Sequence, residues 1–224
     1  MMHRYGEDWL KFVKQQRVIA VIRSSDLRVG KKMAQAVAAG GIKLIEITAN
    51  SDRPWELIES LRAELPDCSI GAGTVLSLAD VRNAIACGAE YIFTPHLDLS
   101  LIQAATTATI PIVPGALTPT EIVSAWQSGA TAVKVFPIQA VGGVSYLQVL
   151  QGPIGQIPLI PTGGVTVINA ADFLAAGAVA VGLAGSLFPQ AEIVREDWQS
   201  LRDRASNLIM RIKISPRSNQ IGDR

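Results

Sequence analysis

Short apolar runs alternate with amphipathic stretches along the whole chain. Eight runs read as strands: residues 18–23, 44–48, 69–74, 91–94, 112–114, 132–136, 159–162 and 178–183. Most are short and rich in Val and Ile, as expected of parallel strands buried on both faces. Between them, stretches such as 28–39, 54–64, 78–86 and 98–108 carry apolar residues at helical spacing. One helix start is strongly marked. Thr118-Pro119-Thr120-Glu121 offers an N-cap threonine, proline at the first helical position and a glutamate that completes a capping box.

An internal echo supports the strand count. The stretches AVAAGGIKLIEIT, AIACGAEYIFTP, AWQSGATAVKVFP and FLAAGAVAVGLAG each close a helix with small residues and glycine, then enter a strand. Their shared glycines, Gly40, Gly88, Gly129 and Gly177, recur every 41 to 48 residues, or two βα units per period. Glycine at a helix end supplies the left-handed turn that reverses the chain. Eight strands, seven intervening helices and a C-terminal helix near 197–212 predict a (βα)8 TIM barrel in a single domain over residues 1–214. A doubly wound open sheet is the alternative. An extra N-terminal helix at 8–16 is placed to close the barrel floor, and residues 215–224 read as a polar, frayed tail.

Composition narrows the function classes. The chain has 20 Lys and Arg against 19 Asp and Glu, so no concentrated basic face for nucleic acid or an anionic membrane is expected. No apolar run approaches the roughly 18 residues of a membrane span, and the N-terminus lacks a signal-peptide core, so a cytoplasmic protein is expected. Cys68 and Cys87 form no C-x-x-C pair, and the two histidines are His3 and His96. Both cysteines read as reduced, mostly buried thiols, and no metal site is expected.

With only 17% charged residues, charges inside apolar strands stand out. Lys134 sits in Ala132-Val133-Lys134-Val135-Phe136. Strand alternation puts Lys134 and Phe136 on one face and the two valines on the other. An amine buried in a barrel is disfavoured as ammonium and suited to attack a carbonyl carbon. The bland alternative is a lysine that reaches the rim or pairs with an acid. Glu46, in Leu44-Ile45-Glu46-Ile47-Thr48, shares a face with Leu44 and Thr48. Desolvation there raises a carboxyl toward the range useful for proton transfer, the alternative being an ion pair with Lys134 or Arg23.

Weaker signals lie at strand ends, where barrels place their chemistry. Arg23 ends the first strand and can fork onto a carboxylate, or simply be exposed. Thr74 closes a glycine-rich strand end, which read alone is a bland turn, and His96 reads as a loop hydrogen-bonder rather than a base. Pro161-Thr162-Gly163-Gly164 and Gly185-Ser186 follow the last two strands, where backbone amides and the N-terminus of a short helix commonly bind phosphate.

Taken together, VIAVIR (18–23), GIKLIEIT (41–48), GAGTV (71–75), TPH (94–96), PGALTPTE (114–121), VKVFP (133–137), PTGGV (161–165) and Gly185-Ser186 resemble the 2-keto-3-deoxy-6-phosphogluconate (KDPG) and 4-hydroxy-2-oxoglutarate (KHG) aldolases, in that family's order, from Val13 to Phe188. The resemblance implies a metal-independent Schiff-base aldolase without a cofactor, on a (βα)8 barrel, acting on small 2-keto acids and aldehydes as a homotrimer. It assigns imine formation to Lys134 and proton transfer to Glu46. Thr74, Pro95, Phe136 and Thr162 would line the keto-acid pocket, and Gly163, Gly164, Gly185 and Ser186 the phosphate loops. Many phosphogluconate-type members carry an arginine soon after the glutamate, where this chain has Asn50. Arg23 is the expected replacement and Arg53 the second choice. The phosphogalactonate epimer is an alternative substrate. A phosphate-binding isomerase or synthase, and a non-catalytic sugar-phosphate binder, are alternatives of other classes.

Overall fold

A computed structural model of the protein describes residues 4–214. His3 and the expected tail, 215–224, lie outside them. The chain opens with α1 (Arg4–Gln16) and β1 (Val18–Ile22), then continues through α2 (Leu27–Ala39), β2 (Leu44–Thr48), α3 (Pro54–Glu64), β3 (Ser69–Gly73) and α4 (Leu78–Ala86). Next come β4 (Ile92–Phe93), α5 (Leu99–Thr107), β5 (Ile112–Val113), β6 (Gly115–Ala116), α6 (Pro119–Gln127) and β7 (Val133–Val135). A 3-10 turn, Ile138–Val141, leads into α7 (Val144–Ile154), followed by β8 (Leu159–Pro161), α8 (Ala170–Ala175), β9 (Val181–Leu183), α9 (Gln190–Val194) and α10 (Trp198–Ile214).

The strands make a curled parallel sheet in the order β5-β4-β3-β2-β1-β9 and a smaller parallel sheet in the order β6-β7-β8. The strand expected at 112–114 is therefore two short strands split at Pro114. Proline has no N–H to give the ladder, although the Pro114 carbonyl still accepts from Lys134 N at 2.9 Å. The last strand begins at Val181 rather than 178: after the turn at 176–177, residues 178–180 are irregular, with a bend at Val179.

Parity along the strands sorts the core into two layers. Ile45, Ile47, Ile70, Ala72, Val133, Val135 and Val181 face the helices. Ile19, Val21, Leu44, Tyr91, Phe93, Val113, Ile160 and Ala180 face the interior, where Trp9, Leu10 and Val13 of α1 plug the N-terminal end. The capping box at Thr118 forms as expected: Thr118 N donates to Glu121 Oε2 at 2.7 Å, and Glu121 N to Thr118 Oγ1 at 3.3 Å. The helix-end glycines follow the echo with one change. Gly88, Gly129 and Gly177 have positive φ, but in the first unit Gly41, at φ 97°, makes the turn. Gly40 is small for another reason: a Cβ there would overlap the Arg202 carbonyl and Ala205 of α10.

Candidate active site

Among the described residues the inner face carries two charged side chains that are buried. Glu46 in β2 is 1% exposed and Lys134 in β7 is 5% exposed. Lys134 is the only lysine among the described residues to be buried. Its Nζ lies 5.0 Å from the Phe136 ring centroid and 5.8 Å from that of Phe93, so aromatic faces rather than a carboxylate surround it. Among the described residues no salt bridge joins Glu46 to Lys134 or to Arg23. The ion-pair explanation of these two burials therefore does not hold.

Glu46 Oε1 is buried without a hydrogen-bond partner. Burial pushes its carboxyl up from the ordinary value, and the charges of Lys134 and then Arg23 pull it part of the way back. Its room comes from β3. A Cβ on Gly73 would overlap Oε1, so any side chain at that inward position would displace the carboxylate. The register partner of Lys134 on β6 is Gly115, against which the backbone of Pro95 packs.

The other expected residues gather at the C-terminal strand ends. Thr74 follows β3 with φ 53°, an uncommon conformation for a residue with a Cβ. Phe136 is half-buried just after β7, and Thr162 is buried just after β8, where it bridges to Gly182 of β9. Gly163 and Gly164 both have positive φ, and side chains there would meet Phe136 and Gln139 respectively. Gly185 has open space where a side chain would be. Ser186 Oγ accepts from Val167 N at 3.0 Å, tying the loop after β9 to the loop after β8. Ser186 lies in a turn, and α9 starts only at Gln190, so the expected helix N-terminus is not at the serine.

Arg23 is exposed, and its Nε donates to Asn50 Oδ1 at 3.2 Å. The residue standing in the family's arginine position thus orients the expected replacement. Arg53 is engaged elsewhere, with Asp52 at 3.7 Å and Glu56 at 3.3 Å. His96 is exposed, while its backbone carbonyl accepts from Thr94 Oγ1 at 2.6 Å. Cys68 and Cys87 are free, and burial raises both thiols away from the reactive range. A cleft of ≈ 630 Å³ opens at the opposite end of the sheet, lined by Trp9, Phe12, Cys68 and Pro111 among others. It contains neither charged residue of the interior and does not compete for the chemistry.

Two contributors were not singled out from sequence. Gly73 makes the space for Glu46, and the signal was present as glycines at alternate positions of one strand. Tyr91 brings a buried phenol into the same interior, with no signal beyond an aromatic residue in an apolar run.

The model of the KDPG and KHG aldolase family matches residues 10–203. The chain belongs to this family. The 2-dehydro-3-deoxy-phosphogluconate aldolase of Dickeya dadantii is 38% identical over 158 residues, 70% of this chain and 74% of that protein. The KHG/KDPG aldolase of Escherichia coli K12 is 36% identical over the same shares. Among solved structures, the KDPG aldolase of Legionella pneumophila, with pyruvate captured as a covalent carbinolamine, superimposes with a TM-score of 0.83 at 27% identity. That match covers 92% of this chain and 98% of the other. Among the described residues no helix of this aldolase-family chain is long and apolar enough to cross a membrane.

Proposed function

We propose that this family member is a Schiff-base aldolase that cleaves 2-keto-3-deoxy-6-phosphogluconate to pyruvate and glyceraldehyde 3-phosphate, and 4-hydroxy-2-oxoglutarate to pyruvate and glyoxylate. The observation that carries the reading is an amine and a carboxyl buried in one interior without an ion pair between them. Burial keeps the Glu46 carboxyl able to hold a proton at higher pH than usual.

Lys134 Nζ attacks the C2 ketone to give a carbinolamine, which loses water to an iminium. Glu46 takes the C4 hydroxyl proton, the C3–C4 bond breaks, and its electrons pass to the iminium, leaving an enamine and a free aldehyde. Glu46 returns that proton to C3, and water releases pyruvate and the amine. One carboxyl serves both transfers in turn. The aromatic rings beside Lys134 favour a cationic iminium at the same place. Arg23, held by Asn50, takes the substrate carboxylate, with Thr74, Pro95, Phe136 and Thr162 lining the pocket. The backbone amides of Gly163, Gly164 and Gly185 with Ser186 take the phosphate.

The same reading treats the two sheets as one (βα)8 barrel in a single domain. Thr131 N donates to Ile112 O at 2.9 Å across the split strand, and Val179 N to Leu159 O at 3.0 Å between the β8 and β9 segments. A homotrimer is supported by Leu76, Leu78 and Leu99, which stand exposed near the C-terminal strand ends. Sedimentation giving a monomer at working concentration would remove that part.

Borohydride reduction in the presence of pyruvate tests the chemistry, with a stable adduct expected on the peptide that contains Lys134. Absence of any adduct at saturating pyruvate overturns the Schiff-base reading. Gly73→Ala is expected to push the Glu46 carboxylate out of place and lower kcat on the order of 10²-fold, as ångström-scale misplacement does. A rate within twofold of the parent would show that the glycine is not needed for Glu46. Ser186→Ala is expected to lower kcat/KM about tenfold for the phosphorylated substrate, equivalent to one lost hydrogen bond, and to spare 4-hydroxy-2-oxoglutarate. Equal effects on both substrates would remove Ser186 from the phosphate site.

A further inference from the structure

Beneath the amine and carboxyl lies a group of polar atoms that the mechanism above does not use. Tyr91 OH, Trp9 Nε1 and Ser69 Oγ are buried without partners, as is Glu46 Oε1. Tyr91 is fully buried, its ring 4.9 Å from that of Trp9 and 5.7 Å from that of Phe93. A phenylalanine would make the same ring contacts without burying a hydroxyl, which is destabilising when unsatisfied. Packing alone does not account for the hydroxyl.

The strand register says what it faces. Glu46 pairs with Gly71 across β2 and β3, and Ala72 pairs with Ile92 across β3 and β4. Glu46, Gly71 and Tyr91 are thus neighbours on three successive strands, all on the inner face. A Cβ on Gly71 would overlap Cδ2, Cε2 and Cζ of Tyr91. The outer edge of the ring therefore lies over Gly71 of β3, the register partner of Glu46. The Glu46 carboxyl occupies the next inward position, over Gly73. Two glycines at alternate positions clear one strip, and the phenol and the carboxyl share it. Glu46 is also the foremost charge acting on the Tyr91 hydroxyl, after burial itself.

We propose that Tyr91 is a positioning residue for Glu46: its hydroxyl, through a shared buried water, donates a hydrogen bond to the carboxylate from the side away from the substrate. One such water satisfies two otherwise orphaned groups, as buried waters commonly do. The indole N–H of Trp9, which can only donate, adds a partner from the floor. This rests on the aldolase reading of Glu46 as the proton carrier. The bond holds Oε1 in place between the two proton transfers and favours the charged form. The other groups acting on Glu46 are Lys134 from β7 and Arg23 from just after β1, both of which also favour the carboxylate. Glu90 and Cys68 act on Tyr91 and disfavour its phenolate, keeping it a donor.

Tyr91→Phe keeps the ring and removes only the hydroxyl. Infrared difference spectroscopy of the substrate-free protein follows the protonated carboxyl band of Glu46, assigned by its loss in Glu46→Gln. The titration midpoint is expected to move up by about one pH unit in Tyr91→Phe, a tenfold change in proton affinity. The acid limb of kcat against pH moves with it, so the rate falls about tenfold on that limb and returns to the parent value on the plateau, with KM unchanged. An unmoved or lowered infrared midpoint overturns the proposal, as does a pH-independent loss of rate accompanied by a lower melting temperature. The infrared titration needs no turnover. A parent protein that cleaves no keto acid would overturn the aldolase reading, while the Tyr91–Glu46 coupling would still be read directly.

Discussion

Lys134→Met is expected to abolish cleavage, with kcat falling on the order of 10⁴-fold or more, and to abolish the borohydride-trapped pyruvate adduct. Removing a covalent nucleophile deletes the route itself rather than one of its aids. No other lysine among the described residues is buried, so none can substitute from within the interior. Methionine keeps most of the stem that packs beside Phe93 and Phe136 while removing a charge from the interior. The variant should therefore melt at or above the parent temperature, which separates lost chemistry from lost structure. Lys134→Arg should be equally inactive, because a guanidinium stays protonated and cannot attack. Retained cleavage in either variant would remove Lys134 as the nucleophile.

Glu46→Gln is expected to lower kcat by roughly 10² to 10⁴-fold, the usual range for a positioned acid–base group. Its signature differs from that of the lysine variants. The amine remains, so pyruvate is still trapped on Lys134 while cleavage of the full substrate is lost. A pH-dependent stability effect accompanies this. Burial raises the Glu46 carboxyl above its ordinary 4.5 in the folded protein, so the unfolded chain releases that proton first as pH rises. Folded protein then binds more protons than unfolded, and stability falls with pH from about 4.5 until the folded carboxyl has ionised. Glu46→Gln has no such deficit. Its melting temperature should exceed the parent's by a margin that grows as pH rises above 4.5. A margin that shrinks with pH would mean that the carboxylate is stabilised in the fold rather than exposed to a burial penalty.

The strands that carry Glu46 and Lys134 were legible because parallel strands are apolar on both sides, and a charge within one is an anomaly. Strand parity correctly put Lys134 opposite Val133 and Val135, and Glu46 opposite Ile45 and Ile47. The capping box at Thr118 was equally local and equally legible. The pairing of Arg23 with Asn50 was not, since it joins the ends of two strands that only the sheet brings together. Pro114 was visible as a strand residue, but its consequence, a split into β5 and β6, depends on which neighbour its missing N–H would have served.

The sequence by itself determined which side chains share a strand face and where the Thr118 capping box starts a helix, and it marked Glu46 and Lys134 as charges within apolar strands. These follow from the two-residue repeat of a strand and the capping needs of a helix, both set within a handful of neighbouring positions. Only the tertiary structure decided that Gly73 holds the space for the Glu46 carboxylate, that Gly71 leaves room for the Tyr91 ring, and that Ser186 ties two loops together. Space left by a missing side chain is filled from another strand. Which atom fills it is set by inter-strand register and sheet curvature, neither of which any single segment encodes.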